Sequence, residues 1–455
     1  MDPIFDLPLW LRAVLLVGGL AGARAALSTA RTPQGAAAWV VFLLAWPLVA
    51  LPLFMVFGGV SRINQKPDHR HLDDTGDDAR PARLGRLRGV THARLSAGNE
   101  LHLLIDGGPT FDAIFPAIDA ARTELLVQFY ILRRDAVGLE LRDRMIAAAE
   151  RGVRVYVLLD LIGSLTLGPR YIHELREAGI NVRGVPGRRS PRGRIGLNFR
   201  NHRKTVVVDG RVGFTGGINA AQEYVDGGKH YDAWRDTHLQ IEGPMVAQLR
   251  DLFAADWEAV TRETLPPLEA PDWSEAGGRL GLVTGFGPTD AQERGSLLLC
   301  ALVGLAQRRL WIATPYLVPH TDLLTALQLA QLRGVDVRIL IPRPADKWVT
   351  WYATRGFARE FARVGIDVLQ YEPGFMHQKV MLIDDEIASV GTINLDIRSA
   401  LLNFEETALV EDAGFAAEVE AMLTRDFARA APLPDPPPRH IRALAPVARL
   451  FGPLL

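Results

Sequence analysis

Two segments of this 455-residue chain carry the same spacing of chemically active side chains. The first reads Asn201-His202-Arg203-Lys204-Thr205-Val206-Val207-Val208-Asp209-Gly210, then Gly216-Gly217-Ile218-Asn219. The second reads Met376-His377-Gln378-Lys379-Val380-Met381-Leu382-Ile383-Asp384-Asp385, then Gly391-Thr392-Ile393-Asn394. Both are His-x-Lys-x-x-x-x-Asp, with an Asn 17 residues after the His, and they lie 175 residues apart. Lysine is scarce here, five residues against 46 arginines, yet two of the five fall in these segments. From the composition, chance supplies about 0.008 such matches. A chain that uses arginine for generic positive charge keeps lysine where a compact ammonium is needed.

The chemistry of that set is specific. His and Lys two apart on a β-strand share a face. The apolar residues Val206 to Val208 and Met381 to Ile383 continue the strand. Asp209-Gly210 reads as a two-residue hairpin turn and Asp384-Asp385 as a weaker one. The returning strands deliver Asn219 and Asn394. Two such sets facing each other present two imidazoles, two ammoniums and two carboxamides. Cations and amides suit the oxygens of a phosphoryl group. One His can attack phosphorus and form a covalent intermediate. The other can protonate the leaving alcohol and then deprotonate the acceptor. Asp209 and Asp384 fit a structural turn as well as a catalytic role, and Asn219 fits a helix cap as well as a ligand.

The elements that position these residues alternate. Leu125 to Ile131 is a strand, Gly138 to Arg151 a helix with Leu141, Met145 and Ala148 on one face, and Val153 to Leu159 the next strand. That rhythm marks an α/β domain. It also repeats. The segment ending at Tyr130 is echoed by the one ending at Tyr316, and Arg151-Gly152-Val153 by Arg333-Gly334-Val335. Two homologous α/β halves, 91–265 and 276–430, follow, joined by a proline-rich linker at 266–275.

Gly35 to Val60 carries no charge over 26 residues, enough to span a bilayer, with Pro47 and Pro52 as kinks. Leu7 to Ala26 is a second apolar stretch, broken by Arg12 and Arg24. A signal peptide cleaved near Ala23-Arg24-Ala25 is the alternative, but Asp2 and Asp6 suit its start poorly. The expectation is a transmembrane hairpin over 1–62 and a juxtamembrane linker over 63–90. That linker holds His69, His71 and the pairs Asp73-Asp74 and Asp77-Asp78. Arg62, Lys66, Arg70 and Arg80 follow the second span and place the body of the chain in the cytoplasm, on the inner membrane. The single cysteine, Cys300, rules out an intramolecular disulfide, and the net charge of −1 gives no field for nucleic acid.

These motifs resemble the phospholipase D superfamily, whose members carry two of them. The chain is more closely similar to the bacterial cardiolipin synthases. That likeness extends through Gly98-Asn99, Asp106-Gly107, Asn198 to Lys204, Trp234-Arg235-Asp236-Thr237, Pro315-Tyr316 and Gly374 to His377. The resemblance implies two α/β/α sandwich halves about a pseudo-twofold axis with the site between them. It implies transfer of a phosphatidyl group from one phosphatidylglycerol to another, giving cardiolipin and glycerol without a metal or cofactor. His202, Lys204, Asp209, His377, Lys379 and Asp384 would be catalytic, with His202 the nucleophile and His377 the acid/base. Asn219, Asn394, Thr392 and Glu405 would line the substrate, Glu405 matching the acid that orients a motif His. The position matching Glu405 in the first half is His230, with Asp236 as the substitute. Gly217 offers no hydroxyl where the second half has Thr392.

A phospholipase D-type hydrolase, or a transphosphatidylase with another donor or acceptor alcohol, is the alternative. A nucleic-acid phosphodiesterase is disfavoured by the hairpin and the near-neutral charge. Two features stay outside the motif. The loop before it carries Arg188, Arg189, Arg192 and Arg194, either a solvated loop or a contact for anionic lipid. The tail, 431–455, alternates basic and apolar residues and either lies in the membrane interface or packs on the body.

Overall fold

The computed structural model describes residues 8–29, 33–58, 82–185, 199–269, 271–273 and 277–452. Outside these lie Arg188, Arg189, Arg192 and Arg194, and the His/Asp part of the expected linker. The chain forms a helical unit at the N-terminus and an α/β unit that holds both motifs.

In the helical unit, Leu9–Thr29 is a 21-residue helix long and apolar enough to cross a membrane. Its buried stripe is small: Leu15, Gly19, Gly22, Ala23 and Ala26. A Cβ on Gly19 would stand 2.8 Å from the carbonyl oxygen of Leu43. Glycine there lets two helix backbones approach closely, as in membrane helix pairs. The expected second span, Gly35 to Val60, is not one helix. It is two, Pro33–Ala45 and Pro47–Phe57, broken at Trp46 with φ −137° and ψ 64°. The cause is Pro47, which lacks an N–H and drives the residue before it out of helical conformation. Edge-on stacking of Trp39 on Phe54, 5.1 Å between centroids, holds the pieces together.

The α/β unit is built on one sheet, sixteen-stranded among the described residues. From one side the order is Asn181–Val185, Arg154–Asp160, Glu124–Phe129, Thr205–Val208, Val212–Gly216, Thr237–Glu242 and Ser96–Ile105. The order continues through Arg279–Phe286, Asn403–Glu411, Ile387–Gly391, Val380–Ile383, Arg309–Ala313, Asp336–Pro342, Asp367–Tyr371 and Ala430–Pro432, and the sixteenth strand, Arg200–Asn201, pairs with Asn403–Glu411 off this path. Each run has three parallel strands on its outer side, edged in the second run by the antiparallel Ala430–Pro432, and antiparallel strands toward the centre. Parallel strands are covered on both faces, which explains why all six residues of Glu124–Phe129 are buried. The covering helix Ala136–Glu150 buries Val137, Leu141, Met145 and Ala148 at helical spacing, and its Asp135 cap accepts the Gly138 N–H.

Three apolar cores result. One lies under the helices of the first run and one under those of the second. The third is shared. Helices Met245–Thr261 and Ala413–Phe427 pack Leu249, Phe253, Trp257, Phe415, Val419 and Met422 against strands from both runs. The C-terminal tail packs on the body: helix Arg439–Arg449 buries Ile441, Ala445 and Ala448. Arg449 pairs with Glu360 and lies 4.1 Å over the Phe357 ring.

The shared core sets the spacing between the two motifs, so its loss is felt by both. Phe415→Ala is expected to cost about 3–5 kcal/mol. A denaturant midpoint within error of the parent's would show that this core does not join the runs.

Candidate active site

The motif residues do not continue the strands as their pattern suggests. The paired strands begin only at Thr205 and Val380. Before them the chain crosses from one partner to another. Arg200–Asn201 runs parallel to Asn403–Phe404, and His202 N–H donates to the Phe404 carbonyl at 2.9 Å. Likewise Phe375–Met376 runs parallel to Trp234–Arg235, and His377 N–H donates to the Arg235 carbonyl at 2.7 Å. Each motif is therefore held by a segment of the other run. Each hairpin turn also has three residues rather than two, since Val208 pairs with Val212 and Ile383 with Ile387.

This crossing brings each histidine to an acid encoded far away. His202 Nδ1 lies 2.8 Å from Glu405 Oε2, and His377 Nδ1 lies 2.8 Å from Asp236 Oδ2. Both acids are fully buried. With Nδ1 engaged, Nε2 is the ring nitrogen left for chemistry. Glu405 is further held by the Thr392 hydroxyl at 2.5 Å and by Asn403 Nδ2 at 3.0 Å. The arrangement resolves the gap in the first half. His230 is exposed, and Asp236, six residues later, takes the place of Glu405. The short helix Glu223–Asp226 lies between Asn219 and Asp236. Gly217 is required beside Asp236, because a Cβ there would fall 1.9 Å from Oδ1. Where the second half spends a hydroxyl on its acid, the first makes room for one.

The lysines lie between these pairs. Lys204 is completely buried; its Nζ donates to the His202 carbonyl at 2.6 Å and lies 5.6 Å from the Tyr130 ring centroid. Lys379 Nζ donates to the His377 carbonyl and stands 2.7 Å and 3.2 Å from the two ring nitrogens of His377. Tyr130 meets His202 edge-on at 5.0 Å, and Tyr316 meets His377 at 6.4 Å.

Burial dominates the titration of the group. It drives the Lys204 ammonium down to about 7 and that of Lys379 down to about 8. It drives His202 to about 4, against the pull of Glu405, and His377 well below its ordinary value. Burial also pushes on the acids, with different outcomes. Glu405 ends below its usual range because His202, Lys204 and Thr392 outweigh desolvation. Asp236 ends above it, desolvation prevailing over Lys379. The His202 dyad thus has the firmer negative charge.

Other residues are used differently from the reading of the motif alone. Asp209 does not join the imidazoles. At φ 52°, on the turn after Thr205–Val208, it accepts the N–H groups of Arg122, Thr123 and Glu124. Asp384, at φ 53°, accepts those of Gln307, Arg308 and Arg309 and pairs with Arg83. Both carboxylates are consumed in pinning a hairpin to the start of a parallel strand. Asn219 accepts the Ile131 N–H and donates to the Tyr224 hydroxyl, so both ends of its amide have protein partners. Asn394 donates to Ser399, and its oxygen has no partner among the described residues. Thr392 bonds Glu405, and Glu405 bonds His202.

Glu406 and Asn403 carry weight that the motif did not signal. Glu406, fully buried, accepts from the Lys204 N–H and from the Thr205 and Thr215 hydroxyls. Two adjacent glutamates before the apolar run Ala408-Leu409-Val410 were the available signal, since buried acids must be paired.

Two expectations follow. The lysine ammoniums lose their charge as pH rises, and from depressed values. The alkaline limb of kcat/KM, which reports the free enzyme, should fall between about 7 and about 8. A limb near the ordinary lysine value of 10.5 would contradict the burial argument. Second, Asp384→Ala should lower the melting temperature while the folded fraction keeps most of its turnover. Glu405→Ala should do the opposite, reducing kcat by roughly 10²-fold or more.

Comparison with known proteins agrees with this geometry. The family model described as "Cardiolipin synthase, PLD-like domain" matches residues 114–257 and 299–427. "Cardiolipin synthase A" of Pseudomonas putida (strain W619) is 42% identical over 461 residues, covering 96% of this chain and 96% of that protein. "Cardiolipin synthase A" of Pseudomonas aeruginosa (strain LESB58) is 42% identical over 470 residues, 97% of this chain and 96% of that one. Among solved structures, the phosphatidylserine synthase of Haemophilus influenzae Rd KW20 superposes with a TM-score of 0.60 at 15% identity. That match covers 82% of this chain and all of the other, and it speaks to the fold. With both motifs inside the matched segments and the likeness running nearly end to end, the chain belongs to the cardiolipin synthase family of the phospholipase D superfamily.

Proposed function

We propose that this enzyme joins two phosphatidylglycerol molecules into cardiolipin and glycerol through a phosphohistidine on His202. Membership of the family supports phosphatidyl transfer. One observation supports the route most directly: two buried imidazoles, each on its own carboxylate, with two buried ammoniums beside them.

His202 Nε2 attacks phosphorus of the first phosphatidylglycerol. The P–N bond forms as the bond to the headgroup glycerol oxygen breaks. Glu405 holds the proton on Nδ1 and balances the positive charge that develops on the ring. His377, as the imidazolium, passes its Nε2 proton to the departing glycerol. The anionic phosphodiester, set against Lys204 and Lys379, is what raises the proton affinity of this otherwise depressed imidazole. Neutral His377 then removes the proton from a headgroup hydroxyl of the second phosphatidylglycerol. That oxygen attacks phosphorus, the P–N bond breaks, and cardiolipin leaves. Protons and phosphoryl groups balance without a metal. The firmer negative charge on Glu405 favours His202 for the nucleophile, where a full imidazolium charge must be supported.

In the same reading the body is two homologous phospholipase D-like halves, 91–265 and 276–430, about a pseudo-twofold axis. The matching strand order on either side of the centre supports this. Leu9–Thr29 forms one membrane pass, and Pro33–Ala45 with Pro47–Phe57 forms a second, bent one, so that both ends of the hairpin and the catalytic body lie on the cytoplasmic side of the inner membrane. Asp209 and Asp384 fix the hairpins, while Thr392, Asn403 and Glu406 position the dyad.

Purified protein incubated with phosphatidylglycerol and EDTA should yield cardiolipin and glycerol by mass spectrometry. His202→Ala should abolish both product and covalent label. His377→Ala should slow turnover by roughly 10²–10⁴-fold yet still accept an acid-labile phosphatidyl label on His202. Phosphatidic acid as the main product would sink the transferase reading. A label that survives His202→Ala would reverse the roles.

A further inference from the structure

The sheet register fixes which loops border the site. Thr205 stands opposite Gln128 on an antiparallel neighbour, so His202 lies beyond the C-terminal end of Glu124–Phe129. Arg154–Asp160 runs parallel beside that strand and ends at the same edge. In the second run Val380 stands opposite Ala313, which puts His377 beyond the C-terminal ends of Arg309–Ala313 and Asp336–Pro342. Two connections leave those ends: 161–168, before helix Pro169–Glu177, and 343–347, before helix Trp348–Arg363. They occupy equivalent places in the two strand orders, one on each side of the imidazoles.

Both connections are tied to the site. Asp160 Oδ1 accepts the N–H groups of Ile162 and Gly163, while its Oδ2 accepts that of Asn201, the residue before His202. The Ser164 hydroxyl donates to the carbonyl of Tyr130, whose ring meets His202. On the other side the Tyr316 hydroxyl donates to Asp346, and Lys347 Nζ lies 5.3 Å from the Tyr316 ring centroid, with that ring against His377. The Tyr231 hydroxyl donates to the Ala345 carbonyl at 3.0 Å.

Beside the exposed Arg343, Asp346 and Lys347, the first loop and the opening turn of helix Trp348–Arg363 turn apolar side chains outward. Leu165 is 72% exposed and Trp348 67%, and Leu161, Ile162 and Val349 are exposed beside them. Apolar side chains gathered on two rims of one site mark a surface that meets something. The substrate's chemistry supplies the occupant. A two-tailed phospholipid cannot bring its acyl chains into water at useful concentration, so the site must come to the lipid. Lys347, between the apolar residues and the site, places a cation where anionic headgroups pass.

We propose that 161–165 and 347–349 are an interfacial rim. They enter the surface of a bilayer containing anionic phospholipid, one on each side of the imidazoles, and let the headgroup reach His202 while its chains stay in the membrane. The inference rests on the phosphatidyl-transfer reading of the site. Its test therefore counts total loss of phosphatidylglycerol, whichever product forms.

Full-length enzyme is reconstituted at equal density in two kinds of vesicle. One is made of long-chain phosphatidylglycerol. The other is made of phosphatidylcholine, with dihexanoyl-phosphatidylglycerol supplied as a dispersed substrate. Leu165→Asp, Trp348→Asp and the double variant should lose at least about tenfold on the long-chain substrate while staying within roughly twofold of the parent on the dispersed one. Leu165→Met and Trp348→Phe should retain both activities. Equal loss on both substrates would assign the loops to the fold or the reacting site and overturn the proposal. Unchanged turnover of the long-chain lipid would overturn it too, as would a shift in oligomeric mass with that turnover intact, which would make the face a protein contact.

Discussion

Charge buried without a partner is the constraint on which this molecule is organised. Two lysines, two histidines and three acids lie together, all withdrawn from water. Removing isolated charges from water costs far more than any single contact in a fold returns, so each must be matched within hydrogen-bonding reach. The matches are made across the middle of the molecule. Glu405 serves His202 and Asp236 serves His377. The crossing strands Arg200–Asn201 and Phe375–Met376 exist to deliver that exchange. The shared core of Phe253, Trp257, Phe415 and Met422 holds the runs at the distance it needs.

Seen from this exchange, near-identical motifs become unequal parts. Burial pushes both acids up, but His202, Lys204 and Thr392 outweigh it at Glu405 and hold it below its usual range, whereas at Asp236, with Gly217 for a neighbour, burial prevails. A ping-pong reaction needs one imidazole that supports a lasting positive charge and one that hands its proton back and forth. In the proposed route, difference in the supports, not in the histidines themselves, divides those tasks. The motif aspartates take no part in it. They close the loops at the far ends of the strands, so that the near ends are held in place.

Much of this was written in the residues. The doubled motif fixed the histidines and lysines, and the alternation from Leu125 to Leu159 fixed the α/β order. The bend at Pro47 was legible, though a full break at Trp46 was not, because whether a proline bends or ends a helix depends on what packs beside it. Asp236 was hard to rank, since counting from the second half lands on His230. An insertion shifts the register, and spacing alone does not see insertions. The use of Asp209 and Asp384 stayed open between a turn and a catalytic role for another reason. A carboxylate in a turn looks the same whether its acceptors face a substrate or three backbone N–H groups, and only the neighbouring strand, 75 to 87 residues away, decides. Glu406 was visible as an acid in an apolar run but had no assigned partner until the runs met.

The exchange of acids has a consequence for how such a chain changes over time. His202 and its carboxylate are 203 positions apart, and His377 and its carboxylate 141. Neither half carries a finished dyad of its own. After a duplication, copies that are each complete drift apart freely, and one decays. Here decay of either half removes the support from the other's histidine. On the proposed reading of two homologous halves, they are held to a common fate in inheritance, although each remains free to acquire the small differences, a threonine here and a glycine there, that let them share one reaction.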